Sequence, residues 1–261
     1  MKDNYSLNYK VVGKGPVVVM LHGLAGTSQY FDRITKYIDN RTIISIDLLG
    51  FGDSPKPSHI KYTIEDHTRA IRNTLQNLKI KKPFDILGVS MGAILALEYA
   101  KKCPENIRSI VLVSPTLYSS PSIARKKIDE TRAPNILMFG PVAKFVCKNI
   151  CARQRIAKKL NPVFMRHIPK DVAKTVCEHS WESYSYSMQN VVINQSGQDI
   201  SKLSRIPLYI FYDKKDNLIE QDIIEGFADY SKNIKITYIA GGHGMLVNNT
   251  AMVAEQLNRL L

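Results

Sequence analysis

Blocks of apolar residues recur along this chain at spacings that change from strand-like to helix-like and back. Two short strand-like stretches open it, at residues 5–12 and Val17–Leu21, followed by a helical pattern over 28–38 and a strand at Thr42–Ile46. Thr63 with Asp66 forms a capping-box pattern opening a helix that turns Ile64, Ile71, Leu75 and Leu78 inward. A strand at 84–87, a helix over Met91–Lys102 and a strand over Ile107–Val113 complete the first part. The runs Val17–Leu21 and 110–113 are continuously apolar, as strands covered on both faces should be. This βαβα order predicts a parallel sheet with helices on both faces.

The alternation then stops. Residues 117–205 read as mostly helical segments, broken at Pro121, Pro134, Pro141, Pro162 and Pro169. It returns with a strand at 207–212, a helix at 220–230, a strand at 234–239 and a closing helix at 250–261. The expected fold class is therefore α/β, a doubly wound, mostly parallel sheet. Its core would comprise residues 1–116 and 206–261, with a helical cap, or lid, inserted over 117–205.

Gly88-Val89-Ser90-Met91-Gly92 sits between an expected strand and an expected helix. A serine at such a turn has strained backbone angles and projects from the end of a sheet. The flanking glycines are needed because a Cβ there would collide with neighbouring backbone.

Composition adds bounds. The chain has 261 residues, 44% hydrophobic and 23% charged, which is ordinary for a globular protein able to bury a large core. Its start lacks the apolar stretch of a signal peptide, and no window approaches 18 consecutive apolar residues. The four cysteines, Cys103, Cys147, Cys151 and Cys177, are too few and too scattered for a disulfide framework. Cys147 and Cys151 would share a helix face, but a buried free thiol is the commoner use of cysteine. A cytoplasmic protein without a membrane span is expected. The net charge of +13 is concentrated, because residues 117–205 hold 15 Lys and Arg against 6 Asp and Glu. That suits either a solvated lysine-rich surface or a docking face for an acidic partner. Nucleic acid is not expected, since the basic residues lack interleaved aromatics and no recognition motif appears.

Leu21-His22-Gly23-Leu24-Ala25-Gly26, Asp47-Leu48-Leu49-Gly50-Phe51-Gly52-Asp53-Ser54, the serine turn, Asp216 and Gly242-His243 together closely resemble the α/β-hydrolase superfamily, over essentially the whole chain. The resemblance implies a triad in the order serine, acid, histidine, and a cap after the sixth strand. Ser90 would be the nucleophile and His243 the base that activates it. The family pattern after the penultimate strand is an apolar run, glycine, two residues, then Asp. Here Asp213 replaces the glycine and Asp216 is the expected acid, which orients the imidazole and stabilises its charged form. The backbone N–H of Met91, and by resemblance that of Leu24, would form the oxyanion hole. His22 would shape the oxyanion loop, and His59, His67, His167 and His179 are structural or surface candidates.

A serine nucleophile implies acyl chemistry on carboxylesters, thioesters, activated amides or certain carbon–carbon bonds beside a ketone. Carbon–carbon hydrolases of this fold often carry a proline in the oxyanion loop, which Leu24-Ala25-Gly26 lacks. Ser-Met-Gly also occurs in cofactor-free haloperoxidase and perhydrolase relatives. No metal or organic cofactor is implied. Trp181, Tyr184, Tyr186, Met188, Met138, Phe139, Phe145 and Phe164 could line an apolar substrate tunnel or simply pack the cap. A basic cap over an apolar pocket also resembles the carboxylesterase of biotin synthesis, which demethylates an ester carried on an acidic acyl carrier protein. Arg125, Lys126, Arg153, Arg155, Lys158 and Lys159 would be its contacts. Ligand receptors of this fold have often lost a triad member, whereas all three residues are present here. The sequence thus reads as a serine esterase acting on a small-molecule ester.

Overall fold

The computed structural model describes residues 4–131, 140–151, 153–164, 168–195 and 199–261. Seven strands, β1 (Tyr9–Gly13), β2 (Val17–Leu21), β3 (Thr42–Ile46), β4 (Phe84–Val89), β5 (Ile107–Val113), β6 (Leu208–Tyr212) and β7 (Ile234–Tyr238), form one sheet. Their order is β1-β3-β2-β4-β5-β6-β7, and only β1 runs antiparallel, against β3. The central strands are buried along nearly their whole length, matching their largely apolar sequence. Asp85 interrupts that run in β4. Its buried carboxylate accepts from Arg108 Nε at 2.8 Å and from Ser109 Oγ at 2.6 Å, so the charge is paired rather than stranded.

From β2 the chain steps outward to β3 on one side and then crosses to β4 on the other. Such a reversal opens a crevice beyond the carboxyl ends of the strands. Leu21 pairs with Gly88 across it, so the segments following β2 and β4 emerge level with each other. The site is built there.

Helix α1 (Ile64–Asn77) starts at the capping box read from sequence, with Thr63 Oγ1 accepting from Asp66 N at 3.2 Å. Helix α2 (Met91–Lys102) packs on β4 and β5, and α1 packs on α2. Two elements depart from expectation. Residues 28–38 form two tight helical turns, Ser28–Phe31 and Ile34–Tyr37, instead of one helix. Their buried residues Ser28, Phe31 and Ile34 recur every three positions, the period of a tighter helix. The first strand begins at Tyr9, because before it the backbone is bonded to side chains: Leu7 N donates to Thr74 Oγ1 and Asn8 N to Ser54 Oγ.

Between β5 and β6 the described residues form helices and turns. They are fastened to the core at the Gly50–Gly52 turn, where Gly52 N donates to Glu178 O at 2.8 Å and Ser183 Oγ donates to Gly50 O at 2.8 Å. Among the described residues no helix is long and apolar enough to cross a membrane.

Candidate active site

Ser90 links β4 to α2 with φ 53° and ψ −118°, a region that residues with a side chain rarely enter. Strain of this kind costs on the order of 1–3 kcal/mol and persists only where the surroundings enforce it. The flanking glycines show the enforcement. A Cβ on Gly88 would lie 2.3 Å from the Gly92 carbonyl oxygen, and one on Gly92 would lie 2.2 Å from that of Leu21. Helix and sheet approach too closely here for any side chain.

His243 follows β7 in a tight turn, Gly242–Gly244, entered through Gly241 at φ 144° and Gly242 at φ 63°. Its Nε2 lies 3.0 Å from Ser90 Oγ, and its Nδ1 lies 2.8 Å from Asp216 Oδ2. A carboxylate can only accept, so Nδ1 carries the proton and the Nε2 lone pair faces the serine hydroxyl. Asp216 is buried, and its other oxygen, Oδ1, accepts from Leu218 N at 3.0 Å. Both carboxylate oxygens are thus occupied, and neither can rotate away from the histidine.

Asp213, three residues earlier, does a different job. Its Oδ2 accepts from Gly241 N at 2.9 Å and from Gly242 N at 2.8 Å, tying the loop after β6 to the loop that carries His243. Partial burial pushes its carboxyl up, but backbone N–H groups of Lys215, Gly242 and Gly241 outweigh this and hold it below the usual carboxylate range. Sequence reading gave Asp213 only the place of the family glycine and no role of its own. The available clue was a carboxylate standing where the family pattern has glycine. Asp213→Ala is expected to lower kcat by about 10- to 100-fold with little change in KM, since small misplacements of a base are costly. Steady-state kinetics at matched thermal stability checks this. An unchanged kcat would mean that the glycine loop is held by other contacts.

The loop after β2 lies against Ser90, because a Cβ on Gly23 would come within 3.1 Å of Ser90 Cβ. His22 fixes its shape. Leu48 N donates to His22 Nε2 at 2.9 Å, which leaves Nδ1 as the donor to Gly23 O at 2.7 Å. Burial lowers the His22 pKa to about 4 and that of His67 to about 3, so both imidazoles are neutral. Met91 opens α2, where the first N–H groups have no partner within the helix, and Leu24 lines the cavity beside Ser90.

That cavity measures about 650 Å³ and reaches from Ser90 and His243 to Ile128, Val172, Met188 and Val192. Tyr184 and Met188 line it, whereas Trp181 and Phe145 do not. Trp181 packs beside Tyr184, with ring centroids 6.2 Å apart, and Phe145 points outward. A helical pattern shows which residues are apolar but not which face meets the core, so it left open which of these aromatic positions line the cavity and which pack the cap. Thr116, missed in the sequence, also lines the cavity, and its buried hydroxyl has no hydrogen-bond partner among the described residues. Met138, Phe139 and His167 lie outside the described residues, as do the side chains of Arg155 and Phe164. Arg125, Lys126, Arg153, Lys158 and Lys159 are exposed, and Lys158 pairs with Glu178 at 2.7 Å. Cys103 and Cys147 are buried, and Cys147 Sγ lies 3.8 Å from His179 Nδ1.

Residues 16–252 match the model of a family described as the alpha/beta hydrolase fold. The chain belongs to the alpha/beta hydrolase family. It is 30% identical over 213 residues to a probable lysophospholipase, BODYGUARD 4, of Arabidopsis thaliana, covering 75% of this chain and 50% of that one. It is 28% identical over 172 residues to Lipase 1 of Psychrobacter immobilis, covering 59% of this chain and 53% of that one. The chain spans about half the length of these curated relatives. An esterase from Exiguobacterium antarcticum superposes with a TM-score of 0.70 at 18% identity, over 97% of this chain and 94% of that one, a likeness of fold alone.

Neutral buried imidazoles predict acid lability in this alpha/beta hydrolase. The unfolded chain protonates His22 and His67 below about pH 6.5, while the folded chain resists until about pH 4 and pH 3. The unfolded state therefore binds more protons in that window, and stability falls as pH falls through it, by about 1.4 kcal/mol per pH unit per group at most. Calorimetry at pH 7, 6, 5 and 4.5 should show the midpoint dropping by several degrees. A flat profile would show that these rings are not held neutral.

Proposed function

We propose that this chain is a serine hydrolase that cleaves a carboxylic ester through an acyl-enzyme. The observation that carries the proposal is the continuous relay from Asp216 through His243 to Ser90, opening onto an apolar cavity. In this reading Ser90 Oγ attacks the ester carbonyl as its proton passes to His243 Nε2. Asp216 stabilises the resulting imidazolium. The N–H groups of Met91 and Leu24 receive the developing oxyanion, each donor contributing roughly 100- to 1,000-fold in rate. His243 then protonates the departing alkoxide. A water molecule, deprotonated by the same nitrogen, releases the acid and restores the serine.

The cavity supports an extended apolar acyl group rather than acetate. Ligand pockets run from about 300 to 1,000 Å³, and this one falls in mid-range with mostly aliphatic walls. The names of the lipase and lysophospholipase relatives favour the same class of substrate. A p-nitrophenyl ester series from acetate to laurate tests the reading. Turnover is expected to rise from acetate to a medium-chain optimum. No turnover on any ester, with burst kinetics also absent, would overturn it.

A further inference from the structure

One part of the helical insertion is not absorbed by this chemistry. Residues 140–164 hold six basic residues, Lys144, Lys148, Arg153, Arg155, Lys158 and Lys159, and no acidic one. The same stretch leaves large apolar side chains in solvent. Val142 and Phe145 on the helix Gly140–Val146, and Ile156, Leu160 and Val163 on the helix Gln154–Phe164, are between 38% and 68% exposed.

Their spacing is ordered. Ile156, Leu160 and Val163 stand at i, i+4 and i+7, which puts them in one stripe. Ala157 and Asn161 turn the other way and are buried. Thus the helix already has its core-facing side, and the apolar stripe is a second, outward one. By helical geometry Arg153 and Lys159 flank the stripe, one on each side. Both are exposed, and neither forms an ion pair among the described residues, although Lys158 and Lys148 pair with Glu178 and Glu182. The helix also packs on Lys170–Ala173, whose Val172 lines the cavity. The stripe is therefore one helix removed from the substrate wall.

We propose that the outer face of the helix Gln154–Phe164 docks on an anionic lipid surface. An exposed apolar stripe rimmed by cations is the composition of a helix that lies in the membrane interface, apolar side down, with its bases at the headgroups. Charge complementarity selects an anionic surface, at about 1 kcal/mol, or roughly fivefold in partition, for each base near it. A face for a soluble acidic protein needs the charges but gains less from a row of three aliphatic residues left in water.

Co-sedimentation of the whole chain with phosphatidylcholine vesicles, with and without phosphatidylglycerol, tests the proposal. Binding is expected only with phosphatidylglycerol and should weaken as salt rises. Replacing Ile156, Leu160 and Val163 together by glutamine should reduce binding by at least about tenfold, as should Arg153→Glu with Lys159→Glu. Turnover of a soluble p-nitrophenyl ester should remain unchanged in both variants. Absence of binding to the anionic vesicles at low salt would overturn the proposal, as would full binding by the glutamine variant. So would a dimer, or a complex with an acidic acyl carrier protein, that depends on these residues while vesicles are ignored. Binding is read without catalysis and can be repeated with Ser90→Ala, so its failure is separable from failure of the hydrolase reading.

Discussion

Ser90→Ala is expected to lower kcat for the best p-nitrophenyl ester by roughly 10^6-fold, to the level left by oxyanion contacts and binding alone. The reason is chemical rather than structural. The only heavy atom lost is Oγ, the one that would accept the acyl group in the proposed reaction and that lies 3.0 Å from His243 Nε2. Alanine keeps the Cβ, so it adds no strain to the φ of 53° that serine already bears. The Ser90 N–H to Val113 O bond at 3.0 Å, which anchors the turn, is also retained. The thermal midpoint should accordingly move little. The check is paired: single-turnover kinetics for acyl-enzyme formation, and a melt to confirm the fold. Loss of less than about tenfold with an intact fold would remove Ser90 from the reaction and the acyl-enzyme with it.

Asp216→Asn should cost about 10^4-fold in kcat with the backbone undisturbed, and the hydrogen bonds give the reason. Oδ1 of Asp216 accepts from Leu218 N, and Oδ2 accepts from His243 Nδ1. An asparagine must keep its carbonyl oxygen toward the Leu218 amide, because two donors cannot face each other. Its NH2 group is then directed at Nδ1, which must become an acceptor. The proton moves to Nε2, and the nitrogen facing Ser90 no longer holds a lone pair. Asp216→Ala makes the useful comparison, because it removes the orienting group without imposing the wrong tautomer. Retention of more than a tenth of the activity by the asparagine variant would show that Asp216 does not set the tautomer.

The serine turn was legible because it is a local solution to a local problem. A strand entering a helix in so few residues forces positive φ on the residue between them and excludes Cβ atoms on either side, and Gly-x-Ser-x-Gly writes that down in five consecutive positions. β2 and the 110–113 part of β5 were legible because burial on both faces leaves no polar position there. The start of α1 was legible because a capping box is complete within four residues. Residues 28–38 failed because one apolar spacing fits either a tight turn or a regular helix in so short a piece.

Long-range consequences lay beyond the sequence. Asp213 and Gly241 are 28 positions apart, and nothing in either segment marks the bond between them. Trp181, Tyr184, Phe145 and Met188 are alike as apolar residues in helices. Which of them meets the cavity depends on how the insertion is pinned at Gly50–Gly52, and this is a matter of rotation and docking rather than composition. The sequence by itself determined the order of strands along the chain and marked Ser90, Asp216 and His243 as candidate groups, because periodicity, turn sterics and functional groups are properties of neighbouring residues. Only the tertiary structure decided that the three groups meet in line, that two neutral histidines lie buried in the core, and which apolar residues face the cavity or solvent. Those depend on distances between segments that the backbone sets only once the sheet and the insertion have packed.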